Sequence, residues 1–205
     1  ILRESDSDKL HFLDMYNLRK DENIFDLEID NAEFLLDKDD KIYFVLSKDN
    51  VKALYKRGVG LITDFEYNDI NRKNGITFFY KNNKVRFCKD GEYDSISKEF
   101  DEISFHDHNN SLLYCKDAND IYIYYIYLNN KKLIRKTDKN SKLVASFFYD
   151  NENKSTEYLF IEEDENNRKA LISSIVYKNK EKIETNVLAS DYDEITINNS
   201  YEYQQ

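Results

Sequence analysis

"GITFFYKNNKVRFC", residues 75–88, decides the fold class of this chain. Two segments rich in apolar and aromatic residues flank the polar triplet "KNN". Successive side chains of a β-strand point to opposite faces, so Val85 and Phe87 would share one face and Cys88 would lie on the other. A period of two on both sides of a short polar turn predicts a β-hairpin.

The same alternation recurs along the chain. "KIYFVLS" and "VKALY" flank "KDN", "DIYIYYIYL" and "KKLIRKT" flank "NN", and four further strand-like segments follow between residues 143 and 189. With 4 Gly and no Pro, turns depend on Asn and Asp, which tolerate left-handed backbone conformations. We therefore predict a mainly β protein of sequential antiparallel hairpins; a repeat-like meander, a barrel, a sandwich and a curled array all fit the pattern.

The length of 205 residues suits a single β-rich domain over residues 1–205. Only "SDKLHFLDMYNL", residues 7–18, favours a helix, with Ser7 as its cap. Residues 1–22 are accordingly expected to form a helical or extended N-terminal segment.

The net charge of −10 is concentrated in the two ends of the chain. Residues 1–50 carry 14 acidic and 7 basic groups, and residues 151–205 carry 12 and 6. Such a surface repels nucleic acid and anionic membranes and attracts basic proteins, although it also serves solubility alone. Residues 81–89 interleave basic groups with an aromatic, a pattern typical of single-strand binding, but one hairpin in so acidic a chain favours a protein partner.

No segment indicates a membrane span, since no apolar run reaches the roughly 18 residues that a spanning helix needs. No signal peptide is visible, which favours the cytoplasm. Because the sequence begins at Ile1 and not at Met, export through a removed upstream segment stays open as an alternative.

Motifs of catalysis are missing from the sequence: there is no Gly-rich phosphate loop, nucleophile elbow or HExxH pair. We therefore predict a non-enzymatic protein with no catalytic residues and no cofactor. His106 and His108 lie two apart and would share a face of a strand, which makes them the candidates for a metal site. Zinc needs a third and usually a fourth ligand, and the "NN" that follows favours a turn leading out of the strand.

"NNKVRFCKD" at residue 82 recurs as "NNSLLYCKD" at residue 109, with Cys88 and Cys115 27 positions apart. We interpret the echo as one hairpin strand written twice, with reduced, half-buried thiols. A disulfide between them is the alternative in an exported protein, and a nucleophilic or metal-binding role is a third reading.

A second echo supports a repeated unit. An aromatic, then Asp or Asn, any residue, and Ile occurs at residues 67–70, 93–96, 100–103 and 192–195. "KRGVGLITDFEYNDI" and "KNNKVRFCKDGEYDSI" resemble the bacterial WG-type repeat, in which a turn precedes a Trp-Gly pair, a short strand, an acidic turn and a Tyr-Asp-x-Ile stretch. The chain has no Trp.

The resemblance is best over residues 56–117. Under it, Val59-Gly60 and Val85-Arg86 occupy the place of the Trp-Gly pair, and residues 67–70 and 93–96 match the end of the unit. It implies a β-rich repeat array that binds other molecules, and it offers no catalytic residues to transfer.

Two groups of residues are candidates for partner contact. The first is the acidic run Glu162, Glu163, Asp164 and Glu165, which follows the apolar "YLF" of a predicted strand. The second is Tyr122 and Tyr124 in "IYIYYIY", because aromatic residues are enriched at interfaces; alternatively this is a central strand covered on both sides.

Three functions fit these observations. The leading hypothesis is a non-catalytic acidic protein-binding module, in its concrete form an immunity or antitoxin-type protein for a basic toxin. The alternative is an exported or cell-surface structural or adhesive repeat module. The third is a metal-dependent hydrolase that would use His106 and His108.

Overall fold

About two thirds of the described chain is β-strand. A computed structural model describes residues 2–3, 10–11, 13–14, 19–20, 27, 29–38, 41–106, 109–126, 132–149, 152, 154–180 and 182–197. Two single-turn 3-10 helices, Tyr93–Ser95 and Lys178–Lys180, are the helical elements within these ranges. The prediction of a mainly β fold is confirmed.

The strands follow one another as hairpins. In chain order they are β1 (Leu2–Arg3), β2 (Leu10–His11), β3 (Leu13–Asp14), β4 (Arg19–Lys20), β5 (Asn31–Lys38), β6 (Lys41–Lys48), β7 (Val51–Lys56), β8 (Gly60–Leu61), β9 (Asp69–Lys73), β10 (Ile76–Lys81), β11 (Lys84–Lys89), β12 (Glu102–His106), β13 (Asn109–Asp117), β14 (Asp120–Tyr125), β15 (Lys132–Thr137), β16 (Asn140–Tyr149), β17 (Ser155–Glu163), β18 (Lys169–Tyr177) and β19 (Lys182–Tyr192).

Sequence neighbours pair antiparallel throughout, in four sheets of three or four strands: β5–β8, β9–β11, β12–β15 and β16–β19. The short strands β1 and β2 form one further pair, and β3 and β4 another. No sheet closes on itself within the described ranges, so the barrel is excluded there. The helix expected over residues 7–18 falls largely outside the described residues, which in that segment are those of β2 and β3.

The chain divides into two compact units, Ile1–Phe100 and Asp101–Gln205. In the first unit, the sheets β5–β8 and β9–β11 share a core that includes Tyr43, Leu54, Ile70 and Phe79. The other face of β5–β8 buries a second cluster around Phe44. This double burial explains why β6 is apolar on both faces and does not alternate cleanly.

Asn and Asp form the tight turns, as the composition predicts. Asp49 and Asn50 join β6 to β7 with φ of 51° and 63°, and Asn82 and Asn83 join β10 to β11 with φ of 49° and 60°. Two successive residues with positive φ fit the twist of a two-residue hairpin turn. The register of β10 and β11 pairs Phe87 with Phe78, in agreement with the predicted facing.

In the second unit, the sheets β12–β15 and β16–β19 enclose one core. It is built from Leu112, Ile123 and Tyr125 on one side and from Phe160 and Ile172 on the other. Each of these side chains is at most 1% exposed. Two antiparallel sheets with a shared apolar interior form a small β-sandwich.

Cys88 and Cys115 form no disulfide with each other, and both are fully buried, so the expectation of half-buried thiols is wrong in the degree of burial. Each lies on the second strand of a hairpin, Cys88 opposite Thr77 and Cys115 opposite Ile103. The sequence echo therefore corresponds to equivalent places in the hairpins β10–β11 and β12–β13. The strands differ in their sheets, since β11 is terminal and β13 is interior.

Candidate partner-binding surface

The acidic run spans the end of β17 and the turn into β18, but its first member does not face solvent. Glu162 is 2% exposed, and its two carboxylate oxygens accept hydrogen bonds from Nε and Nη2 of Arg135, each at 2.8 Å. The Glu162 hydrogen bond raises the pKa of Arg135, against desolvation. Glu162, one of the four residues expected to contact a partner, is therefore buried, and its charge is neutralised inside the sandwich.

Asp164 builds the turn. Its Oδ1 accepts the backbone N–H groups of Asn166 and Arg168, each at 2.9 Å, and Asn167 takes a left-handed φ of 59°. A short acidic side chain that bonds to nearby amides is a standard way to stabilise a turn. Asp164 therefore has a structural role here in addition to its charge.

Glu163 and Glu165 are joined by a carboxylate from a different turn. Asp138, between β15 and β16, lies with them around a cleft of about 570 Å³. We call this the acidic cleft; its lining residues are Asp138, Lys139, Asn140, Glu163, Asp164, Glu165 and Asn166. Sequence reasoning missed Asp138, because nothing in the order of residues shows that two turns 25 positions apart are neighbours.

The carboxylates of the acidic cleft are weakly neutralised. Four acids and one lysine line it, and Glu163 approaches Lys169 at 3.8 Å. Asp138 and Glu165 make no ion pair within the described ranges. The nearby Arg168 does not compensate them, because it pairs with Asp191 at 2.8 Å and with Asp193. The cleft thus keeps an excess of negative charge.

Tyr122 and Tyr124 are half-buried and do not line the acidic cleft. The register places them on one face of their sheet with Cys115 and Leu113, which are fully buried, whereas Arg135 belongs to the opposite face. Lys136 Nζ lies 5.4 Å from the centre of the Tyr122 ring. The buried neighbours of the two tyrosines favour the alternative that β14 is a central strand covered on both sides. The tyrosines and the acidic run do not line one common cleft.

The histidine candidates cannot be placed as a pair. His108 lies outside the described residues, and of His106 only the backbone, at the end of β12, is described. Across the described parts of the chain, no three His, Cys, Asp or Glu side chains are grouped as metal ligands. No helix in those parts is long and apolar enough to cross a bilayer.

The basic groups of residues 81–89 have partners inside the chain. Lys81 pairs with Glu66, and Lys89 lies 3.5 Å from Glu92. Arg86 Nε donates to the backbone oxygen of Ser97 at 2.8 Å. These contacts compete with any phosphate that would approach the strand.

Comparison with known protein families and with curated proteins gives no match to this chain.

Proposed function

We propose that this chain is a non-catalytic protein-binding module that holds a basic partner at the acidic cleft. The observation that supports the proposal is the meeting of Asp138, Glu163 and Glu165 around one cleft of about 570 Å³ with little internal neutralisation. A cleft lined by one sign of charge focuses the field and raises the rate at which an oppositely charged protein arrives. In its concrete form, the module is an immunity-type protein that covers a cationic toxin.

The partner contact excludes Glu162 and uses Asp164 indirectly. Glu162 is committed to Arg135, and Asp164 shapes the turn that presents Glu163 and Glu165. Exposed carboxylates act over a distance that salt shortens, so their contribution belongs mainly to association and less to dissociation.

A charge-removal variant tests the proposal. In the variant D138N/E163Q/E165Q, we expect association with a basic protein partner to slow at least tenfold at low salt, with a smaller change in dissociation. Raising salt toward about 0.5 M should shrink the difference, because exposed charges are then screened. Stopped-flow or biosensor kinetics would measure both rates against a panel of purified small basic proteins, candidate toxins included.

The matched control removes three exposed acids elsewhere. D94N/E99Q/E102Q makes the net charge less negative by the same three units, and its positions lie outside the acidic cleft. Equal slowing by both triple variants would reduce the effect to overall charge and contradict a specific site. For the immunity form, co-expression should protect cells from the toxin that binds, and the cleft variant should protect less.

A further inference from the structure

A groove of about 340 Å³ opens in the second unit between β12 and β16. Its lining consists of Ser104, Phe105, Tyr114, Asn140, Ser141, Lys142 and Leu143. Both strands are terminal in their sheets and pair on one side only within the described ranges. Their second edges therefore carry backbone donors and acceptors that a further strand can use.

The sandwich is open on this side because β12 does not fill its inner face. The register aligns Ser104 with Tyr114 and with the buried Ile123, so Ser104 lies on the face that carries the core, but its small side chain is exposed at the edge. On the far side, Thr185 Oγ1 donates to the backbone oxygen of Ile134 at 3.4 Å and links β19 to β15. The interior is thus bridged at one pair of edges and accessible at the other.

Two hydroxyl groups in the lining are suited to hydrogen bonding. Ser141 is 8% exposed, and its Oγ has no hydrogen-bond partner in the part of the chain that the structure describes. Burial raises the pKa of Tyr114 to about 12, although a hydrogen bond with the Leu143 backbone opposes the rise. A buried, unsatisfied hydroxyl such as that of Ser141 gains when a ligand supplies a partner.

The charge of the groove differs from that of the acidic cleft. Lys142 is the charged residue of its lining; it is exposed and makes no ion pair within the described ranges. In a chain with a net charge of −10, an unpaired cation beside neutral hydroxyls favours a ligand that carries a carboxylate.

The backbone limits the length of the ligand. The pairing of β16 with β17 shifts register between Leu143 and Ala145, and that of β12 shifts between Phe105 and His106. Bulges interrupt regular pairing at a strand edge. The regular part of the β16 edge beside the groove is therefore the four residues 140–143.

We propose that the groove binds an extended segment of another protein, which adds to the β16 edge as a short strand. A carboxylate side chain of that segment pairs with Lys142, and a neighbouring hydroxyl or amide reaches the Ser141 Oγ. Strand addition of this kind takes its affinity from main-chain hydrogen bonds and its selectivity from pockets for alternate side chains. The groove adjoins the acidic cleft, because Asn140 lines both, but the proposed contacts at Ser141 and Lys142 lie outside the cleft.

Two peptide pools test the proposal on the full chain. One pool contains terminally blocked heptapeptides with Glu at the centre and Thr, Val, Ser or Asn elsewhere, and the second has Lys at the centre. Amide chemical shifts of the isotope-labelled protein report binding by position. We expect the Glu pool at millimolar concentration to shift residues 104–105 and 140–143, and the Lys pool to bind at least tenfold more weakly.

Three variants sharpen the result. K142E should reverse the preference between the pools, whereas K180E, an equal charge change on an exposed residue outside the groove, should leave it intact. S104W places a large side chain at an exposed lining position and should abolish the shifts. The proposal is overturned if neither pool shifts the groove, if Glu and Lys pools bind equally, or if S104W binds like the parent.

Discussion

At the scale of single residues, neighbouring acids of one run have different roles. Glu162 and Glu163 are adjacent in sequence, but alternation along β17 places Glu162 inside the sandwich with Arg135 and Glu163 beside Lys169 at the surface. Coulomb interactions are stronger where water is excluded. Removal of either Arg135 or Glu162 would therefore leave an unpaired charge inside the sandwich and lower its stability. The outer pair is screened and contributes little.

Alanine substitutions at Glu162 and Glu163 should therefore have clearly different effects on the free energy of unfolding. Removing one partner of a buried ion pair costs about 3–5 kcal/mol, and we expect E162A to lose about 3 kcal/mol because Arg135 is 25% exposed and partly solvated. E163A should change the free energy of unfolding by less than about 0.5 kcal/mol. Urea denaturation followed by circular dichroism would measure both.

The double variant R135M/E162L provides the control. It replaces the pair by apolar side chains and should recover most of the loss of E162A, because no unpaired charge then remains inside. Similar stabilities of E162A and E163A would show that the Arg135–Glu162 pair does not support the sandwich.

At the scale of elements, the hairpins rely on Asn where most proteins use Gly. Asn82 and Asn83 hold φ of 49° and 60°, and the Asn82 N–H donates to Oδ1 of Asn68 at 2.9 Å. An ordinary L-residue pays about 1–2 kcal/mol for the left-handed conformation, whereas Asn tolerates it and Gly adopts it freely. Turn chemistry therefore sets the register of β10 on β11.

Substitution of Asn83 should show this conformational preference directly. We expect N83A to lower the free energy of unfolding by about 1 kcal/mol and N83G to leave it equal or raise it. Chemical denaturation would measure the difference, with N186A on the exposed edge of β19 as the control. A destabilised N83G would indicate that the Asn83 side chain, and not its backbone conformation, stabilises the hairpin.

At the scale of the whole molecule, the last residue of the first unit and the first residue of the second each bond within their own unit. Phe100 is fully buried and exchanges backbone hydrogen bonds with Val85 at 2.9 Å. The next residue, Asp101, already donates to the Lys116 oxygen at 2.7 Å. Independent domains are usually joined by exposed linkers that few contacts cross. If residues 1–205 form a single domain, as the sequence predicts, the two units should unfold together in one cooperative transition.

We predict a single calorimetric transition whose midpoint is lowered by a substitution in the core of either unit. I70V in the first unit and I172V in the second should each cost about 1 kcal/mol, since both side chains are at most 4% exposed. Each variant should lower the midpoint of the entire transition by roughly 2–4 °C. Two transitions, with each variant moving only one, would establish two independent domains.

The β class, the order of the hairpins and the chemistry of the turns can all be predicted from the sequence. Alternation and left-handed turn residues are local properties, so they can be read from a few neighbouring positions such as residues 82–88. The acidic character of the candidate surface was also visible, in the run that contains Glu163 and Glu165.

Which acids come together in one site depends on contacts between distant parts of the chain. Arg135 neutralises Glu162 because the sandwich brings β15 against β17, and Asp138 joins Glu163 and Glu165 because two turns meet. The groove between β12 and β16 likewise arises from the packing of two sheets. Such contacts join residues far apart in the chain, and the alternation within each strand shows which face is buried but not which strand of the other sheet lies against it.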